Sequence, residues 1–323
     1  MPSPDSATPT LCVVPSNPVP ENARVGVFET RDKVRLRYAL FPRTGGGFKG
    51  TVCLVHGRTE FIEKYFETIA DLQRRGFTVA TFDWRGQGGS DRLIRNPRLG
   101  FVEHFDDYWT DLSSFHADIL LPDCPPPFYL VAHSMGGLVA LFAASRDRMM
   151  FDRVFVTAPM VALDNQPLDM AGMARIAETL SFLGLGKLPA GRRTERLPSA
   201  AAFAGNPLTS DLARYMRSVD VVKARPDLGI GAPTLRWSAA ALHAMAIANG
   251  DAFPTAIKAP VLMLAGPQDQ VVSSTAIEQL GLRMRTGRHI MIPSARHELF
   301  MEAEPIRAQV LAAFDAFITN QSP

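Results

Sequence analysis

The sequence predicts an α/β fold: a mostly parallel, eight-stranded sheet with helices on both faces and a helical cap inserted late in the chain. Three observations predict it. Short apolar runs alternate with amphipathic segments of helix length, the pattern of a parallel sheet covered on both faces. The alternation stops between about residues 160 and 252, where helical patterns and Pro/Gly breaks carry no convincing strand. One buried run ends in a serine at the corner where a helix begins, Ala132-His-Ser134-Met-Gly136.

The elements follow in order. Residues 1–22 are rich in Pro, Ser and Thr and read as a mobile tail. Residues 25–30 and 34–41 alternate in character and suggest an antiparallel pair. The Gly45-Gly-Gly47 loop leads to a parallel strand ending at His56, and a helix over 61–75 is stopped by Gly76. Residues 77–82 form the next strand. The turn Asp83-Trp-Arg-Gly-Gln-Gly88 lacks the Lys-Ser/Thr ending of a phosphate-binding loop, so it reads as a structural turn braced by Asp83 and Arg85. A helix over 107–120, the serine strand and its helix, and a strand at 154–157 continue the alternation. The expected division is a core of 23–159 and 253–323 with a cap of 160–252. Within the cap, 168–183 is the most apolar helix. Its stripe of Met170, Met173, Ile176, Leu180 and Leu183 suits an alkyl chain, although packing the cap onto the core would explain it equally well.

The chemistry is carried by three stretches. The serine corner has the form of a nucleophile elbow, which needs small residues two places either side of the serine; Ala132 and Gly136 occupy them. Ser134 is the candidate nucleophile. A serine needs a neutral imidazole to take its proton and an acid to hold that imidazole's tautomer. Residues 260–266 form an apolar run followed by the polar loop of Asp269, and a short strand beginning at His289 is followed by His297. Asp269 and His297 thus fall at the carboxyl ends of successive strands, where open α/β sheets gather their sites. The oxyanion that forms needs two backbone donors. Met135, at the positive end of the helix, supplies one N–H, and Arg58, after Gly57, supplies the other. The side chains of both are incidental to that role.

The other conspicuous residues are weaker candidates. Asp220 and Asp251 rival Asp269 but follow no strand. His56 is expected to order the oxyanion loop, and strand alternation is expected to send His133 to the face opposite the serine. Glu298 reads as a first-turn helix carboxylate. His104, His116, His243 and His289 have no metal-ligand spacing, and no metal or cofactor is expected.

The segments 56–65, Asp83-Trp-Arg-Gly-Gln-Gly-Gly-Ser90, the Ser134 elbow, the Asp269 loop, Ala295-Arg-His297-Glu and Gly205-Asn-Pro-Leu-Thr-Ser-Asp211 carry a resemblance. The chain resembles α/β-hydrolases of the lysophospholipase and monoacylglycerol lipase branch, most of all the bacterial lysophospholipase L2-type proteins. The likeness runs from about Val25 onward and implies a cap over the site and hydrolysis of single-chain lipid esters. Two positions depart from the common pattern: Ala132 at the elbow, and Thr59 where many lipases have glycine.

Composition narrows the class. The 323 residues, 46% hydrophobic and 20% charged, describe an ordinary globular chain. A net charge of +2 gives no basic face for nucleic acid, and the cluster Arg192, Arg193 and Arg196 reads as a solvated loop. Three cysteines cannot all pair; Cys53 inside a central strand suggests a reduced, packing role, which suits a cytoplasmic location. No secretory signal and no run of roughly 20 apolar residues is present, so any membrane contact is expected to be peripheral, through the cap. The competing readings share the fold. A proline iminopeptidase-like aminopeptidase would hold a free amine on cap carboxylates, with Glu178, Glu195 and Asp211 as candidates. An acyltransferase would use the same triad with another acceptor. A non-catalytic receptor usually lacks a triad member, and none is missing here. A haloalkane dehalogenase would carry aspartate at position 134.

Overall fold

The computed structural model describes residues 9–164, 170–190 and 199–319. Eight strands form one sheet in the order β1-β2-β4-β3-β5-β6-β7-β8. β1 (Arg24–Glu29) and β2 (Arg35–Phe41) pair antiparallel, and β2 joins β4 (Phe77–Phe82) in the same sense. From β4 onward every pairing is parallel, through β3 (Gly50–Val55), β5 (Phe128–His133), β6 (Arg153–Thr157), β7 (Val261–Ala265) and β8 (Gly287–Met291). β3 and β5 are buried at every residue, as strands covered on both faces must be.

The helices are α1 (Phe66–Arg74), α2 (Asp107–Phe115), the single turn α3 (Leu121–Asp123), α4 (Ser134–Arg146), α5 (Met170–Leu180), α6 (Leu212–Ala224), α7 (Leu235–Asn249), α8 (Phe253–Ala256), α9 (Ser274–Arg283) and α10 (Glu304–Thr319). β4 shows how both faces are covered. Phe77 and Phe82 are five residues apart and so point to opposite sides of the sheet. Phe77 meets Phe314 of α10 edge-on at 5.6 Å between ring centroids, while Phe82 meets Phe115 of α2 at 4.7 Å. Each such ring, fully buried, contributes about 3–5 kcal/mol by the cost of its removal to alanine.

Three local expectations are corrected. The helix expected over 61–75 begins as a 3₁₀ turn, Ile62–Tyr65, whose first N–H, that of Ile62, is taken by Asp83 Oδ1 at 2.9 Å. The helix expected over 107–120 is regular only to Phe115, and a wide turn, His116–Leu120, leads into α3, where Pro122 has no N–H to continue the ladder. The segment read as a mobile tail is packed from residue 9 onward, while residues 1–8 lie outside the described residues. Cys12 and Val14 are buried with Phe61, Val221, Val222 and Leu228 in a small satellite core. The Cys12 N–H donates to Glu63 Oε1 at 3.0 Å, and Asn17 Nδ2 donates to the Glu63 carbonyl at 2.7 Å. A buried carboxylate needs donors, and that demand outweighs the polar composition of the segment.

Between β6 and β7 the described residues form helices α5 to α8 and short 3₁₀ turns, with no ladder strand. This inserted helical segment lies over the carboxyl ends of the parallel strands, where the loops carrying residues 57, 134, 269 and 297 also emerge.

Candidate active site

β5 enters the elbow extended and α4 leaves it, which forces Ser134 to φ +52°. A non-glycine residue held there costs of order 1–3 kcal/mol, and the surrounding packing sustains it. The crowding behind it is measurable. A Cβ on Gly136 would lie 2.5 Å from the His56 carbonyl oxygen and 3.1 Å from that of Val55, both backbone atoms. Ala132 is fully buried on the other flank, where a methyl group is accommodated.

The loops after β7 and β8 bring Asp269 and His297 to the serine. His297 Nδ1–H donates to Asp269 Oδ2 at 2.8 Å. That tautomer leaves Nε2 to accept the Ser134 hydroxyl at 3.0 Å. Asp269 Oδ1 accepts the N–H groups of Val271 (2.7 Å) and Val272 (3.0 Å), so both carboxylate oxygens are occupied. Burial raises the Asp269 carboxyl, but the hydrogen bond and charge of His297 and the two amides outweigh it and hold it below its ordinary value. Ser134, His297 and Asp269 are 7%, 4% and 8% exposed, so bulk water does not compete for these bonds. The two rival carboxylates lie elsewhere: Asp220 accepts from Ser16 Oγ at the surface, and Asp251 pairs with Arg283.

The oxyanion loop follows β3. His56 Nδ1–H donates to the Gly57 carbonyl at 2.8 Å, and Trp84 Nε1–H donates to the His56 carbonyl at 2.8 Å, so His56 orders the loop as expected. Arg37 clamps Asp83, and Arg85 pairs with Asp111 and Asp32, which braces the adjoining turn. Gly57 passes close to the serine: a Cβ there would stand 3.1 Å from Ser134 Cβ, so its neighbours would have to give way. The Gly57 N–H donates to Glu60 Oε2 and the Thr59 N–H to Gln87 Oε1, which leaves the Arg58 N–H between them without a partner among the described residues. Met135 is the second residue of α4, where N–H groups have no intrahelical acceptor. The Arg58 guanidinium turns away, 5.0 Å above the Trp237 ring and donating to the Gly231 carbonyl; burial pushes it down to about 10.

Two expectations fail here. His133 does not face away from the serine. It lines the same cavity, its ring 4.8 Å from that of His297, because the chain turns at Ser134 (φ +52°) and carries the serine round to the side that His133 occupies. Its Nδ1 is tied to Thr157, and burial pushes it down to about 3, so it is neutral at physiological pH. Glu298 precedes a 3₁₀ turn and not a helix, and its buried carboxylate takes a hydrogen bond from Lys64 Nζ at 2.5 Å. Lys64 also donates to Glu60 Oε1 at 2.7 Å. This Glu60–Lys64–Glu298 cluster was not foreseen: the first two share helical spacing, but nothing in the sequence brings them to residue 298. Glu302 was likewise missed. It accepts the N–H groups of Arg296 and Ser210, which ties the segment 205–211 to the histidine loop.

A cavity of about 630 Å³ opens beside Ser134 and His297. Met160, Leu163, Met173, Ile176, Trp237 and Met245 give it an apolar wall, and Glu60 and Glu298 stand at its polar end. Of the stripe expected on α5, Met173 and Ile176 reach this wall, whereas Leu183 is exposed; the side chain of Met170 lies outside the described residues. A second cavity, about 680 Å³, mixes charged residues with apolar ones such as Phe105, Phe142 and Phe253, and none of Ser134, His297 and Asp269 lines it.

A family model described as Hydrolase_4, serine aminopeptidase S33, matches residues 46–304. The chain belongs to this family. Lysophospholipase L2 of Escherichia coli strain K12 is 32% identical over 286 residues, covering 84% of this chain and 81% of that protein. A probable lysophospholipase L2 of Haemophilus influenzae is 26% identical, covering 90% of each chain. Among solved structures, a soluble variant of monoglyceride lipase from Saccharomyces cerevisiae superposes with a TM-score of 0.70 at 20% identity, covering 97% of this chain and 98% of that one. The monoacylglycerol lipase of Paleococcus ferrophilus gives 0.68 at 22% identity, covering 88% and 98%. These two show the fold. The hydrolase is thus an α/β-hydrolase of the lysophospholipase and monoglyceride lipase type, a carboxylic ester hydrolase.

Proposed function

We propose that this hydrolase cleaves single-chain lipid esters, lysophospholipid or monoacylglycerol, with Ser134 as nucleophile, His297 as base and Asp269 as its orienting acid. The observation that carries the reading is the unbroken relay from Asp269 through His297 to Ser134, which lines a largely apolar cavity. His297 takes the Ser134 proton as Oγ bonds to the ester carbonyl carbon. The N–H groups of Arg58 and Met135 hold the oxyanion. His297 then gives its proton to the departing alcohol oxygen and an acyl-enzyme remains. Water adds with its proton passing to His297, which returns it to Ser134 as the fatty acid leaves.

The cavity argues for one chain. Its volume lies within the roughly 300–1,000 Å³ that accommodates one compact ligand, and its apolar wall suits a single alkyl arm. The segment between β6 and β7 also exposes Phe182 (91%), Leu183 (66%) and Leu188 (51%), which supports peripheral contact with a membrane through that face. No helix among the described residues is long and apolar enough to cross a bilayer.

The family description favours a second reading, an aminopeptidase. Its cap carboxylates are poorly disposed for it. Glu178 lines the other cavity, Asp211 caps α6 and pairs with Arg214, and Glu195 lies outside the described residues. The test is hydrolysis of lysophosphatidylcholine, a monoacylglycerol, a diacyl phospholipid and an aminoacyl arylamide by the parent and Ser134→Ala. Turnover of either single-chain lipid, absent in Ser134→Ala, is the expected result. Preference for the arylamide, or full activity of the alanine variant, overturns the reading.

A further inference from the structure

Beside the triad, the cavity holds one buried charge whose bonds reach the oxyanion loop and not the base. Glu60 is 4% exposed. Its Oε2 accepts the Gly57 N–H at 2.5 Å and the Tyr65 hydroxyl at 2.9 Å, and its Oε1 accepts Lys64 at 2.7 Å. Burial opposes ionisation, but the Lys64 ammonium outweighs it and keeps the carboxyl below its ordinary range, so the acceptor is an anion. The loop it closes is tight. Thr59, a β-branched residue, is held at φ +67°, a conformation that needs outside support. The support comes from both sides: Gln87 takes the Thr59 N–H and Glu60 takes the Gly57 N–H. The N–H left over is that of Arg58.

We infer that Glu60 is a positioning residue of the oxyanion hole: by accepting the Gly57 N–H, its carboxylate turns the Arg58 N–H toward the ester carbonyl attacked by Ser134. The inference rests on the proposed role of Ser134. A hydrogen bond to a backbone N–H is directional, so the one at Gly57 fixes the His56–Gly57 peptide plane, and His56 Nδ1–H on the Gly57 carbonyl holds the next plane, which carries the Arg58 N–H, against it. A donor aimed in advance pays no reorganisation cost when charge develops. Tyr65 and Lys64 act one step further out, by holding the carboxylate where Gly57 meets it.

The competing role is a simple ion pair with Lys64, and two conservative variants separate the two. Glu60→Gln keeps an acceptor oxygen at the same reach but loses the charge that pairs with Lys64. Glu60→Asp keeps the charge but withdraws it by one methylene from Gly57. The experiment measures kcat and KM on a p-nitrophenyl acyl ester, thermal midpoints, and inhibition by an alkyl boronic acid, whose tetrahedral serine adduct places an oxygen in the hole. Glu60→Asp should lose about 10²-fold in kcat with KM within about twofold, and boronate affinity should weaken in parallel. Glu60→Gln should keep kcat within about fivefold of the parent, whatever its thermal midpoint. Equal losses, no losses, or a larger loss in Glu60→Gln overturn the inference. Either variant alone decides if the other does not fold: a Gln variant reduced about 10²-fold, or an Asp variant at parental kcat and boronate affinity, is fatal to it. Ser134→Ala run alongside keeps the two readings apart. A silent Ser134→Ala beside active Glu60 variants removes only the positioning role, whereas an active Ser134→Ala removes the nucleophile.

Discussion

The rings of His133 and His297 lie 4.8 Å apart, inclined by 55°, and only His297 is hydrogen-bonded to the Ser134 hydroxyl. His297 bridges Ser134 and Asp269; His133 is tied through Nδ1 to Thr157 and has no carboxylate hydrogen bond. Chain proximity favours the wrong histidine, since residue 133 adjoins the serine. His297→Ala should therefore lower kcat by about 10⁴-fold or more, while His133→Asn should stay within about tenfold of the parent. Steady-state rates on one monoacyl ester check both. Comparable losses would mean that the base is misassigned.

His133 also makes a prediction about acid. Burial, the largest influence, lowers it from the ordinary 6.5 to about 3 in the folded chain. Between those values the unfolded chain binds a proton that the folded chain does not, so stability is full above about pH 6.5 and falls as pH drops toward 3. The loss is bounded at roughly 5 kcal/mol over the whole window. Urea midpoints taken between pH 7 and 5 should fall in the parent and fall less in His133→Asn; the Asp111 carboxyl, raised by burial to about 7, titrates in both chains and drops out of the comparison. Parallel curves would remove His133 as the source.

Gly136→Ala tests the elbow. The added methyl would meet the His56 carbonyl oxygen at 2.5 Å, and a backbone atom of a central strand's end cannot swing aside. Overpacking of this kind costs about 1–3 kcal/mol. The same push displaces both the serine and the oxyanion loop, so kcat should fall more than the thermal midpoint alone implies. A variant with parental kcat would show that the corner has slack.

Arg58→Ala separates backbone from side chain. The substitution keeps the N–H at position 58 and removes the guanidinium that lies over Trp237 and bonds Gly231. The effect should fall on KM for long-chain esters, by about three- to tenfold, with kcat near the parent value, as for a group that binds ground state and transition state alike. A kcat loss of about 10²-fold with unchanged KM would instead assign the side chain to the oxyanion.

The sheet was legible because its signal is local. Apolar runs such as 51–55 and 128–133 can satisfy their surroundings only as strands buried on both faces, and Gly76 and Pro260 mark where two further strands begin. The grouping of Ser134, Asp269 and His297 was legible for the same reason: each follows such a strand, and their order along the chain matches the order of loops along one edge of the sheet. Loop and end contacts were not. The segment 9–20 looked unstructured by composition, yet buried Glu63 draws it in. Periodicity put His133 on the wrong side because it assumes that the strand continues, and at residue 134 it does not.

Residue type and spacing along the chain determined the fold class and singled out Ser134, Asp269 and His297 as the candidate triad, since each depends on short-range propensity or on strand order. The tertiary structure alone decided which side of the strand end His133 occupies, what holds the loop at residue 57, and where Lys64 finds its second carboxylate at residue 298. Those contacts join groups up to 234 residues apart. Their energies come from burial and from the direction of individual hydrogen bonds, and neither leaves a period or a motif in the sequence.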